Sequence, residues 1–284
     1  MLNPLLARHV FGQKFDRLFD GDASHRLLFI GTIIERKAPA GCHETILGAG
    51  AGYHAGRYSL ERRNVLCVRG PVTCDILGTD RSYAAIDPAI LTSRYYKADS
   101  PASTGVLFMP HHSTHARAEA PLRGACANAG MDYVSPFDDA EAIIRKIAAA
   151  RRVVTEALHA AVVAESFGVP CLPVVFGAKV LDVKWRDYAA SLGADYRPAE
   201  IHTNIAFDGK VRFADRVKYA AFKAGLGKDK YKYLPVRKAT PSALSVLEGK
   251  LRALATGDAG LLRATAVKST SIARLDAAIE TFGS

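Results

Sequence analysis

The sequence predicts an α/β chain of two doubly wound units facing each other, followed by a helical tail, and three observations lead there. Short apolar runs that stop at glycine alternate with helical patterns, a small-residue stretch containing proline interrupts them near the middle, and the excess positive charge collects near the end. The chain has 284 residues, 49% apolar and 23% charged, which is enough for two cores of about 100 to 150 residues each. Disordered, collagen-like and coiled-coil chains are excluded by that composition.

The opening, MLNPLLARHVFGQKFDRLFD, is amphipathic and lacks the long apolar stretch of a signal peptide. LLFIG at 27–31, TILGAG at 45–50 and VLCVRG at 65–70 read as buried parallel strands. PVTCDILG follows with proline at a first helical position and glycine past the end, the asymmetry of a two-turn helix. ADSPAST at 98–104 has a linker's composition, and a second alternation starts beyond it. VLFMP is a strand, HARAEAPLRGACANAG a helix with a proline in its path, DYVSPF a short strand, and DDAEAIIRKIAAA a helix opened by acids. RVVT is a strand, EALHAAVVAESFG a buried helix, CLPVVF a strand and KWRDYAASLG a closing helix. In the tail, LSVLEGKLRALA and SIARLDAAIETF are amphipathic helices.

Five cysteines, with no C-x-x-C pair and an odd count, point to free thiols in a reducing compartment. With no apolar run of membrane-spanning length, the expected location is the cytoplasm. The net charge is +10, and from Lys210 onward 15 Lys and Arg face 6 Asp and Glu, so anionic partners are expected and the tail carries most of the excess. No nucleic-acid motif accompanies that charge, and nucleic acid is not expected as a partner.

GAGAGYHAG at 48–56 contains G-x-G-x-x-A, but a poor crossover helix follows it and the residue about twenty positions on is basic, which argues against a dinucleotide site. Gly50 then serves close approach of the backbone to a ligand or strand. VRGP at 68–71 sets Arg69 at a strand's carboxyl end, where α/β ligands bind and a guanidinium offers its fork to an anion; pairing with a surface acid is the competing reading. In MPHHSTH at 109–115, His111 or His112 with His115 has metal-ligand spacing without a nearby acid or cysteine. An imidazole acting on an anion or transferring a proton is the other functional reading, and functionless loop histidines the third. In VVTEALHAAVVAESFG, Thr155 is expected as N-cap, with Glu156 and His159 sharing the first helical turn; its free amides and dipole suit a phosphate, whereas cap bonds and a core histidine would explain the same residues structurally.

V-R-G-P-x-T, I-D-P-A-I-L, M-P-H-H, T-E-A-L-H-A-A-V-V-A-E-S-F-G-V-P and V-K-W-R-D-Y-A-A-S-L-G occur in that order, and over residues 1–196 the chain resembles the polysaccharide pyruvyl transferase family, in particular the exopolysaccharide ketal pyruvyltransferases. The resemblance implies two facing Rossmann-like domains in the GT-B glycosyltransferase architecture. They are residues 1–100, whose first strand is expected to be missing because Met1 directly precedes Leu2-Asn3-Pro4, and residues 101–207, carrying the donor site; the basic helical tail read from the sequence pattern is 208–284. The family's more usual S-L-H-G is A-L-H-A here.

The implied reaction moves pyruvate from phosphoenolpyruvate onto two hydroxyls of a sugar as a cyclic ketal, on a polysaccharide or its lipid-linked repeat unit. A sugar-nucleotide glycosyltransferase of the same architecture is the alternative. By resemblance and chemistry, Arg69 and Lys184 are anion anchors, and Thr155 with the His159 turn is the phosphate cradle. His111 or His112, with Glu156, are general acid and base, and Asp87 orients the acceptor. Gly31, Thr32 and Gly50 complete the expected substrate contacts. The scheme needs no metal and no cofactor beyond phosphoenolpyruvate as co-substrate. A lipid-linked acceptor implies peripheral attachment at the inner face of the cell membrane, for which RVKYAAFKAGLGKDKYKYLPVRK at 216–238, with Tyr219, Phe222, Tyr231 and Tyr233 among its cations, supplies charge and interfacial rings.

Overall fold

A computed structural model describes residues 2–12, 24–54, 56–98, 105–177, 182–257 and 260–283. Helix α1 (Leu2–Phe11) turns Leu6, Ala7 and Phe11 inward. Strands β1 (His25–Leu28), β2 (His43–Leu47) and β3 (Arg63–Cys67) form a parallel sheet in that order. Each begins in polar residues that the apolar runs did not include, because Arg26, Glu44 and Arg63 are cross-strand neighbours. The buried Glu44 carboxylate accepts from Arg63 Nε at 2.8 Å and lies 3.6 Å from Arg26, so a charge row replaces apolar pairing at that end. Helix α2 (Pro71–Leu77) starts at its proline and closes at Gly78 with φ 70°, as expected.

The second sheet, also parallel, has the order β5-β4-β6-β7-β8. β4 (Val106–Met109) is followed by α3 (His112–Asn128), which begins earlier than the sequence pattern indicates and departs from helical geometry at Ala118. Pro121 cannot donate and its ring crowds the carbonyl four residues back, so the first turns and the remainder are offset. β5 (Met131–Tyr133) is shorter than the expected strand because the chain turns at Ser135, whose hydroxyl accepts from Phe137 N. Then come α4 (Ala140–Ala148), β6 (Arg152–Thr155), α5 (Leu158–Ser166), β7 (Cys171–Val175), α6 (Asp182–Ser191) and β8 (Ala199–Glu200). β4 pairs with β5 on one side and β6 on the other, so the strand order reverses there and a crevice opens beyond the carboxyl ends of β4 and β6.

The expectation that α5 opens on a Thr155 cap is corrected. Thr155 is still in β6, the N-cap position is Ala157, and Glu156 precedes the helix instead of sharing its first turn with His159. The cause is tertiary: Thr155 Oγ1 donates to Met109 O and accepts from Ala157 N, both at 2.8 Å, which keeps the chain extended for two more residues.

The C-terminal quarter is more than helix. β9 (Ile205–Ala206) pairs with β10 (Arg237–Lys238) around α7 (Phe213–Lys223). α8 (Pro241–Thr256) buries Leu247, Leu251 and Ala255 against α3, and α9 (Val267–Gly283) buries Leu275 against the first sheet. A core runs between the sheets, joining Phe29, Leu47, Met109, Val162, Trp185 and Leu275. The aromatic rings expected to face a membrane are instead half buried: Tyr233 donates to Glu200 Oε1 at 3.2 Å and Lys232 pairs with the same carboxylate. All five cysteines are buried and unpaired. Most of the stretch read as a linker, residues 99–104, lies outside the described residues. Among the described residues no helix is long and apolar enough to cross a membrane.

Candidate active site

A cavity of about 520 Å³ opens where loops from the carboxyl ends of both sheets meet. Thr32 follows β1, His111 and His112 follow β4, His159 opens α5, and Lys184 projects from α6; all five line it. His111 is the N-cap of α3, its Nδ1 2.8 Å from Ser113 Oγ, and its ring lies 4.1 Å from that of His112. His115 takes no part: its nitrogens face Tyr133 Oη at 2.9 Å and Glu119 at 3.3 Å, so the ligand spacing with His111 or His112 is used for packing instead. No group of three or more His, Cys, Asp or Glu side chains suited to a metal occurs among the described residues.

His159 rests on Gly31, where a Cβ would lie 3.7 Å from the imidazole Cε1 and where φ is +109°. Behind the ring is Asp87, fully buried. One carboxylate oxygen accepts from Ala89 N at 3.1 Å, while Oδ2 stands 3.6 Å from His159 Nε2, and neither of these last two buried atoms has a hydrogen-bond partner. The gap is short enough for an imidazolium–carboxylate pair and closes with a slight ring shift. Asp87 therefore faces His159 and does not line the cavity.

Glu156 is also fully buried. Its Oε1 accepts from Phe176 N at 2.8 Å and Gly177 N at 3.1 Å, and its Oε2 from His111 N at 3.1 Å. Burial pushes the carboxyl upward and these amides pull it back, so the group ties the ends of β4 and β7 to the turn before α5. Thr155, as described, fixes the same turn and lies outside the cavity.

Arg69 is enclosed beneath this surface. Nε donates to Asp187 Oδ2 at 2.9 Å and Nη1 to Thr32 Oγ1 at 2.6 Å, while Nη2 is buried without a partner. Asp187 also accepts from Thr73 N at 2.9 Å and Thr73 Oγ1 at 2.6 Å, capping α2, whose own N-cap residue is glycine. Gly50 packs on the guanidinium so closely that a Cβ would fall 2.3 Å from Cζ. Arg69 thus reaches the cavity only through the Thr32 hydroxyl.

Lys184 differs. It is buried, lines the cavity, and has no carboxylate within ion-pair distance among the described residues. Burial, with the charge of Arg69, pulls its pKa from 10.5 down to about 8, against the opposing pull of Glu156. Together with the first amides of α5, which have no acceptor within the helix, it offers an anion both positive charge and N–H donors.

Asp187 and Tyr53 were not singled out from the sequence. Asp187 stands three residues after Lys184 in a helical pattern, the spacing that puts both on one side of α6, and that signal was available; exposed Tyr53, on the cavity rim, had none.

The family model described as polysaccharide pyruvyl transferase matches residues 9–175, from α1 to the end of β7. The chain belongs to the polysaccharide pyruvyl transferase family. It is 28% identical over 197 residues to the succinoglycan biosynthesis protein ExoV of Rhizobium meliloti (strain 1021), a stretch covering 66% of this chain and 60% of that protein. The chain thus spans about 60% of the length of the curated relative it matches. No solved structure matches it. Lys184 and Asp187 lie beyond the residues that the family model covers, on the helix that completes the cavity.

Proposed function

We propose that the protein transfers pyruvate from phosphoenolpyruvate onto two hydroxyls of a sugar in an exopolysaccharide or its lipid-linked repeat unit, forming a cyclic ketal. Family membership and the similarity to ExoV support pyruvate transfer in exopolysaccharide synthesis; the unpaired Lys184, which lines one cavity with His159, carries the donor assignment. Phosphoenolpyruvate has a phosphate and a carboxylate on one carbon, and Lys184 with the amides opening α5 supplies cationic and dipolar anchors for such a dianion.

Chemically, the methylene carbon accepts a proton, positive charge develops on the central carbon, and a sugar hydroxyl adds there as its proton leaves. The phosphate departs with the bonding pair, and the second hydroxyl closes the ketal, giving up its proton. His159, oriented by Asp87, is the acid for the methylene carbon, and His111 or His112 takes the hydroxyl protons. Arg69 acts as a positioning residue that holds Thr32, and Glu156 as one that holds the His111 turn. Two Rossmann-like domains in a GT-B arrangement, with the acceptor entering between the sheets, accord with this scheme. A lipid-linked acceptor would be met at the inner face of the cell membrane.

The test is phosphate release from phosphoenolpyruvate with lipid-linked oligosaccharide acceptors, with pyruvate incorporation followed in parallel. The expected outcome is one ketal per phosphate. A rise in melting temperature with a uridine diphosphate sugar and none with phosphoenolpyruvate would favour glycosyl transfer instead.

A further inference from the structure

Helix α7 (Phe213–Lys223) buries none of its side chains. Tyr219, Phe222 and Asp215 share its inner side and are half buried. Phe213, Val217 and Ala220 follow i, i+4, i+7 spacing on the opposite stripe and are exposed. Phe213 is 81% exposed and Leu226, just past the helix, 86% exposed, so two large apolar side chains protrude into solvent within 14 residues. Arg216 and Lys223 flank the stripe on one side and Lys218 on the other, while the helix's one carboxylate, Asp215, is turned inward. None of these three cations has a carboxylate within ion-pair distance among the described residues.

We propose that α7 with Leu226 is a membrane-docking element that lies in the headgroup region of an anionic bilayer. A protruding apolar stripe between basic flanks is the pattern of an interfacial helix, and a bilayer accepts protruding side chains without a complementary groove. The charge argues against a second copy as occupant, since a two-fold contact would bring Arg216, Lys218 and Lys223 against their own equivalents. The docking residues are therefore not the rings interleaved in 216–238, which face the protein, but Phe213, Val217 and Leu226. The first turn of α7 also borders a second cavity of about 270 Å³, lined by Arg117, Lys210 and Arg212 and by the carboxylates Asp208 and Asp215, so docking would set that polar mouth beside the bilayer. This last point rests on the lipid-linked acceptor proposed above; the docking itself does not.

Co-sedimentation of the protein alone, without donor or acceptor, tests it. The protein is expected to bind vesicles containing phosphatidylglycerol at low salt, to bind pure phosphatidylcholine far less, and to be released as ionic strength rises. Phe213→Ser/Val217→Ser/Leu226→Ser and Arg216→Gln/Lys218→Gln/Lys223→Gln are each expected to weaken binding by about tenfold or more, with unchanged melting temperatures because the sites are exposed. The proposal is overturned by full binding in both variants, by equal binding to neutral vesicles, by no binding at all, or by a dimer that the serine variant dissociates. None of these results depends on whether phosphoenolpyruvate is the donor.

Discussion

Arg69 and Lys184 are both buried cations that the sequence nominates for anion binding, yet only one keeps its charge available. Arg69 is neutralised by Asp187, bonded to Thr32 and enclosed by Gly50. Lys184 sits on the same helix as Asp187, opens to the cavity and has no such partner, and its lowered pKa records the cost of keeping it charged there. A buried charge with its counter-ion built in organises structure, whereas a buried charge without one is free to pair with a bound anion.

The largest expected effect separates the two. Asp187→Ala leaves Arg69 buried and unpaired and uncaps α2, so it should cost about 3 to 5 kcal/mol of stability. Lys184→Met, which removes an uncompensated buried charge, should leave thermal stability unchanged or raise it. Thermal denaturation of both variants checks the contrast, and equal losses would erase it.

Within the cavity, His159→Ala should lower pyruvyl transfer by about a hundredfold or more without unfolding the protein. Asp87→Asn, which keeps the Ala89 cap but removes the charge facing His159, should cost about tenfold. It should also shift the pH profile, a readout that loss of a purely structural contact would not move. Rates measured across pH on folded variants decide this.

The pH dependence of Lys184 runs in two directions. Its folded pKa of about 8 lies below the ordinary 10.5, so the unfolded chain binds more protons between those values and this residue's contribution to stability rises with pH across that window. Donor binding needs the ammonium, so kcat/KM for phosphoenolpyruvate should fall above pH about 8. Lys184→Arg should flatten that alkaline limb, since a guanidinium stays charged. The smallest effect is expected from EDTA, which should leave turnover unchanged because the proposed chemistry uses side-chain charge and helix amides throughout.

The alternation of strands and helices was legible because glycines punctuate apolar runs, and so was the place of His111 and His112 beyond a strand's carboxyl end; Lys184, which reaches the cavity from α6, was named only through the family resemblance. Glu156 was not. A Thr-Glu pair at a strand-to-helix junction reads as a cap, and only the folded chain brings the Phe176 and Gly177 amides to that carboxylate. Strand starts were missed where Arg26, Glu44 and Arg63 pair across β1 to β3, because a buried charge row has no apolar periodicity. In the tail, composition could not tell the rings that pack inward from Phe213, which does not.

Whether Lys184 anchors the donor is decided by calorimetric titration of phosphoenolpyruvate into the wild-type protein and Lys184→Met at pH 7. The wild type is expected to bind, and the variant to bind about ten- to a hundredfold more weakly with the fold intact. Equal affinity in a folded Lys184→Met protein would show that the unpaired lysine is not the donor's anchor.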